Sequence, residues 1–168
     1  MKPEIHRAAV ISECRKHRLW LSRTWGRQDP KLPFIMLNPS TADADVDDPT
    51  IRRCMAFARR EGYHGIEVVN LFSVRATDPK EVWPLAPHRR NHPHAEHHLV
   101  DAALNGEPMV CAWGSVPTAA MPRVRDVVNT LSMLTNLVCL GTTKSGMPRH
   151  PLYVRGNQPL EPWTFPEK

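Results

Sequence analysis

The sequence has no pair of cysteines at the spacing of a zinc ribbon or a redox motif. Its four cysteines, Cys14, Cys54, Cys111 and Cys139, lie far apart. Cys54, Cys111 and Cys139 sit among apolar neighbours and read as small core residues. A reduced compartment fits that usage, and a cytoplasmic location is expected. Long apolar runs are also missing. Stretches such as Ile66–Leu71, with Glu67 inside it, are far shorter than the roughly 20 apolar residues a membrane helix needs. The opening Met1-Lys2-Pro3-Glu4 leads into no apolar segment of the secretory kind. There is no internal repeat and no Walker loop. The acidic stretch 43–48 lacks the glycine and distal glutamate of a calcium loop.

What is present is ordinary in amount and uneven in arrangement. The 168 residues are one domain's worth, with 41% hydrophobic and 23% charged residues. The net charge of +5 favours polyanionic partners without requiring them. DNA or a nucleotide is therefore the expected partner class, and a membrane is not.

Ala8–Ser12 and Arg18–Trp25 are β-like runs that would pair as a hairpin. Gly26–Lys31 reads as a polar loop. Pro33–Leu37 is a short buried strand ending at the turn signal Asn38-Pro39. Asp48-Pro49 opens a helix, with Asp48 as N-cap and Pro49 in the first turn. That helix would run to about Glu61 and stop at Gly62. Ile51, Cys54, Met55 and Ala58 share one face, and Arg52, Arg53, Arg59 and Arg60 lie on the other. Ile66–Phe72, Pro108–Trp113 and Leu137–Leu140 read as further strands. Ala95–Leu104 and Thr118–Leu131 read as helices, and Pro79–Pro93 as an irregular surface segment. The chain from Thr142 onward reads as loop. Strand–helix alternation predicts an α/β three-layer sandwich with a central, mostly parallel sheet and the N-terminal β-hairpin at its edge.

In such sheets ligands sit beyond the carboxyl ends of the strands. Three loops leave those ends: 38–48, 72–78 and 141–151. Asn38 follows four apolar strand residues, and its amide can hold a water or a ligand; it can equally cap its own turn. Asp43, Asp45, Asp47 and Asp48 form an acidic loop, in which Asp43 or Asp48 is a candidate general base. Asp48 reads as well as a simple cap. Asn70 closes an apolar strand, and a buried amide there suits reading a base edge or satisfying nearby backbone. Ser40, Phe72 and Arg75 lie beside these positions and are candidate substrate contacts. Lys144, Ser145, Arg149 and the helix residue Arg52 are candidate phosphate contacts. His150 could donate to a developing negative charge. The tract His88, His92, His94, His97 and His98 has one ligand-like pair, His94 and His98 on a common helix face. Only Glu96 and Asp101 accompany it, so it reads as a solvated surface, and no metal or cofactor is expected.

The strings Met36-Leu37-Asn38-Pro39-Ser40-Thr41-Ala42, Asp48-Pro49-Thr50-Ile51-Arg52-Arg53-Cys54 and Val69-Asn70-Leu71-Phe72 resemble a bacterial and phage family catalogued as a domain of unknown function. The resemblance runs from the Cys14 hairpin to Tyr153. The order of motifs is also similar, more distantly, to the uracil-DNA glycosylase superfamily. There a first strand ends in an Asn-Pro-type loop that positions the attacking water, as Asn38-Pro39 would here. A later strand carries an Asn that reads the flipped base, and Asn70 stands in a similar place. A final His-Pro-Ser loop stabilises the leaving base. His150-Pro151 matches its first two residues, with Leu152 in place of Ser. The iron–sulfur branches need four suitably placed cysteines, which this spacing does not supply.

That resemblance implies hydrolysis of the N-glycosidic bond of a damaged or modified base in DNA. Two other readings stay open. One is an enzyme acting on free nucleosides or nucleotides in base modification or salvage. The other is a non-catalytic nucleic-acid or nucleotide-binding domain.

Overall fold

The computed structural model describes residues 3–26 and 30–167. Residues 27–29 of the expected Gly26–Lys31 loop lie outside the described residues. Seven strands form one sheet. They are β1 (Ile5–Ile11), β2 (Arg18–Trp25), β3 (Lys31–Met36), β4 (Gly65–Asn70), β5 (Met109–Cys111), β6 (Leu137–Cys139) and β7 (Glu161–Pro162). The helices are α1 (Pro49–Arg60), α2 (Pro87–Arg90), α3 (Ala95–Ala103) and α4 (Met121–Ser132).

The strand order is β1-β2-β4-β3-β5-β6-β7. The inner four, β4-β3-β5-β6, pair in parallel. The pairings β1–β2, β2–β4 and β6–β7 are antiparallel. The sheet is thus mixed rather than mostly parallel. The hairpin does more than decorate an edge: β2 is a full partner of β4, with Leu21 opposite Val68 and Thr24 opposite Gly65. A second difference lies in the C-terminal chain. The segment read as loop contributes β7, which closes the far edge against β6. Pro162 within it fits an edge strand, where a missing N–H is tolerated.

α1 forms for the reasons its sequence states. The Asp48 carboxylate accepts from the Ile51 N–H at 2.8 Å, and Pro49 occupies the first turn, where its missing N–H is no loss. Ile51, Cys54, Met55, Phe57 and Ala58 are buried. They pack on Leu32, Phe34, Met36, Ile66 and Val68 from one face of the sheet. Full burial of a side chain such as Ile51 or Phe57 stabilises by about 1.5–3 kcal/mol. The opposite face, with Ile35, Val69, Met109, Cys111 and Cys139, is covered by α3 and α4 through Leu99, Ala102, Val124 and Val128. Helices therefore lie on both sides of the parallel centre. No helix among the described residues is long and apolar enough to cross a membrane.

Candidate functional site

The four parallel strands all end on the same side of the sheet, and there the loops are laced together. After β3 and β4 the pairing continues outside the strands, with Leu71 N–H donating to Met36 O at 2.8 Å and Phe72 N–H to Leu37 O at 2.9 Å. Ala76 N–H then donates to Pro39 O at 2.9 Å. After β5 and β6, Gly114 N–H donates to Pro148 O at 2.8 Å. Gly114 holds φ +73, and a side chain there would approach His150. Between these laced loops opens a cleft of about 850 Å³.

Asn38, Ser40, Asp48, Asn70, Lys144, Arg149 and His150 all line this cleft. The other candidates lie elsewhere. The Asp43 carboxylate folds back on its own loop and accepts from Asp45 N–H and Val46 N–H, both at 2.8 Å. Those two bonds hold its carboxyl below the usual range. Phe72 is buried in the core and meets Trp83 edge-on, with 5.3 Å between centroids. Arg75 faces the hairpin turn, its guanidinium near Arg15 O. Arg52 is exposed on α1 and donates to Asp47 O. Ser145 pairs with the Thr143 hydroxyl at the surface. None of these five lines the cleft.

The arginine face of α1 is largely occupied by the chain itself. Arg53 donates to Pro151 O and Val154 O. Arg60 donates to Gly156 O and Gln158 O. Arg59 lies over the Trp25 ring, 4.3 Å from its centroid. Arg53 and Arg60 thus clamp the C-terminal segment. The histidine tract lies largely at the surface, with His88, His94 and His97 exposed. His97 pairs with Asp101 at 3.1 Å, and His92 lies against His17. No group of three potential metal ligands occurs among the described residues.

Within the cleft, hydrogen bonds orient Asn38, Asp48 and His150. The Asn38 amide nitrogen donates to Ala76 O at 2.9 Å and Pro39 O at 3.1 Å, which leaves its oxygen as the free acceptor. Asp48 spends one carboxylate oxygen on the Ile51 N–H and keeps the other. The His150 Nδ1 accepts from Leu152 N–H at 3.2 Å, so the neutral ring carries its proton on Nε2. Burial lowers the His150 pKa, opposed by the charge of Asp48, and so favours the neutral ring. Leu152 and Tyr153, in the short 3-10 turn after His150, are exposed at the mouth.

Arg18 belongs to the cleft and was not anticipated. It opens β2, and because β2 runs antiparallel to β4, its first residue lies at the carboxyl end of the parallel strands. The Arg18 N–H donates to Ser73 O there. The residue is 3% exposed, and its guanidinium donates to Ala42 O at 3.0 Å and approaches the Asn70 oxygen at 3.4 Å. Desolvation pulls its pKa down to about 10, partly offset by Asp48. Trp83 and Trp113 complete the walls. Trp113 closes the strand read over Pro108–Trp113 and lies just beyond the observed β5. Its position after Cys111-Ala112 was the one available signal.

The fold and site together define a mixed α/β domain with a cleft, lined by both polar and apolar side chains, at the carboxyl ends of its parallel strands. The family described as "Protein of unknown function (DUF1643)" matches residues 18–152, and the chain belongs to that family. No curated protein and no solved structure matches it.

Proposed function

We propose that the cleft hydrolyses the N-glycosidic bond of a nucleobase, with a damaged or modified base in DNA as the substrate. The observation that carries this reading is convergence. Asn38, Asp48, Asn70 and His150 come from separate segments and line one cleft of about 850 Å³. That volume accommodates a base with its sugar.

The chemistry assigns each group one task. Asn38 Oδ1 and the uncommitted Asp48 oxygen hold the attacking water, and Asp48 takes its proton as the new bond to the sugar carbon forms. The electron pair of the breaking bond passes to the base. His150 Nε2–H donates to the base as it acquires negative charge. Asn70 faces the base edge, and Trp83 offers a stacking surface. A base in a duplex must first leave the stack, and Leu152 and Tyr153 stand exposed at the mouth where that happens. Lys144 and Arg149, also at the mouth, supply cations for flanking phosphates.

The test offers the full chain a panel of oligonucleotides carrying single deaminated, alkylated or oxidised bases, together with the matching free nucleosides. Released base is followed by chromatography. Release from at least one oligonucleotide, slowed in Asn38→Ala, is the expected result. Release from nucleosides alone moves the substrate to the salvage class. Binding without release from either supports a non-catalytic module and ends the hydrolytic reading.

A further inference from the structure

Asp48 and His150 are each the cap of a helical element. Asp48 caps α1 through the Ile51 N–H, and His150 caps the 3-10 turn Pro151–Tyr153 through the Leu152 N–H. The two elements are distant in sequence, and one side chain joins them. Arg53, on α1, donates from Nε to Pro151 O at 3.2 Å and from Nη2 to Val154 O. Pro151 opens the turn and Val154 ends it, so a single guanidinium grips both ends. Among the described residues, these are the two hydrogen bonds that tie 151–154 to another element.

The grip is braced from below. The Arg53 guanidinium lies over the ring of Phe57, 4.8 Å from its centroid, and Phe57 is buried one turn further along α1. Asp48 and Arg53 belong to the same helix, so the helix itself fixes the distance from cap to clamp. Ahead of His150 the chain is held separately, by the bond from Gly114 N–H to Pro148 O at 2.8 Å. His150 therefore sits between one fixed point of backbone and a turn fastened to α1. Asp48 is near enough for its charge to raise the His150 pKa against the effect of burial. Arg53 itself does not line the cleft. A planar guanidinium suits this bridging task, because its donors lie in a rigid fork, whereas an ammonium is a point charge on a flexible stem.

We infer that Arg53 is a positioning residue: by fastening the turn 151–154 to α1 it sets the spacing between the Asp48 carboxylate and the His150 imidazole in the cleft. The inference rests on the roles given to Asp48 and His150 in the proposed reaction, and it names the side chain that keeps them in register. Arg60 supplies the contrast. It holds the same C-terminal segment at Gly156 O and Gln158 O, beyond the turn, and has no hold on His150.

The test is an NMR titration of the His150 ring in the full chain, its signal assigned by its loss in His150→Gln. It is run on wild type, Arg53→Lys, Arg53→Met and Arg60→Met, each with and without Asp48→Asn. Arg53→Lys keeps the charge, and Asp48→Asn keeps a residue that caps helices. In the wild-type background Asp48→Asn should lower the His150 pKa, and the size of that drop reads the spacing. Both Arg53 variants should shrink the drop by about half or more. Arg60→Met should leave it unchanged. Where the chain releases a base, Arg53→Lys should slow single-turnover release about tenfold to a hundredfold with substrate binding nearly unaltered. The titration needs no substrate, so the two readings fail separately. Coupling lost in the Arg53 variants, with no base released by any chain, keeps the clamp and removes the hydrolase. Coupling intact in Arg53→Lys, with release at the wild-type rate, removes the clamp and keeps the hydrolase. No drop in wild type, or an equal loss in Arg60→Met, also overturns the inference. So does failure of both Arg53 variants to fold, which would make Arg53 a residue of architecture.

Discussion

β2 carries two buried arginines that use burial in opposite ways. Arg23, with no exposed surface, is saturated. It donates to the Asp47 carboxylate at 2.6 Å, to Asp43 O at 2.5 Å, to Val46 O at 3.2 Å and to Ser22 O at 2.9 Å. Arg18, five residues earlier and as deeply placed, makes two side-chain bonds and keeps an unpaired Nε–H. Arg23 organises the acidic loop 43–48 and has nothing left for a ligand. Arg18 has donors to spare and lines the cleft. A buried charge that is fully paired speaks for architecture, and one left short of acceptors speaks for something that arrives later.

Breaking Arg23 should produce the largest stability effect. Arg23→Met leaves Asp47, itself mostly buried, without its main partner. Removing one member of such a pair costs about 3–5 kcal/mol. Denaturant unfolding should show that loss, and a loss below about 1 kcal/mol would mean that the loop does not depend on Arg23. Next in size is a kinetic effect at the other end of the contrast. His150→Ala should raise the barrier to base release by about 2.7–4 kcal/mol, the usual cost of deleting a stabilising donor. Melting should stay close to wild type. Arg18→Met should cost only roughly 1–2 kcal/mol of stability, for the acceptors it strands. If Arg18→Met and Arg23→Met lose stability equally, the distinction between the two arginines fails.

Smaller still is the pH dependence. Burial is the first cause lowering the pKa of His17, His98 and His150 below 6.5. The unfolded chain takes up those protons near pH 6.5 and the folded chain resists them. The unfolded state thus binds more protons in this window, so stability falls as pH drops through 6.5 and levels off below the folded values. Melting temperatures stepped from pH 7.5 to pH 5 should decline, and a rise would contradict the assigned shifts. The smallest expected effect concerns DNA. Lys144→Ala and Arg149→Ala should each reduce the salt slope of oligonucleotide binding by about one.

The same contrast explains what could be read in advance. The α1 cap, the four parallel strands and the loops after them were legible because each rests on local signals: Asp48-Pro49, short apolar runs, and Asn38-Pro39. Asn38 and Asn70 stand at strand ends, and His150 lies on the loop that follows β6. Arg18 could not be placed that way. It begins a strand, and only the antiparallel pairing of β2 with β4 carries it to the carboxyl ends of the others. Asp43 and Arg75 looked like site residues because they stand beside site residues in sequence. Asp43 instead makes a turn, and Arg75 faces the hairpin. The α1 arginines fall on the polar side of their helix as the period requires. Nothing local shows that the segment 151–158 returns to cover them. β7 escaped for a related reason. Two residues, one of them Pro162, become a strand only because β6 offers an open edge.

The proposed hydrolysis of an N-glycosidic bond depends on water activated at Asp48. Single-turnover base release by Asp48→Asn tests it most directly, because Asn keeps the helix cap and removes the base. The account predicts an unchanged melting temperature and release slowed by about a hundredfold or more. Release at the wild-type rate, or none by the folded wild-type chain from any base in the panel, would contradict it.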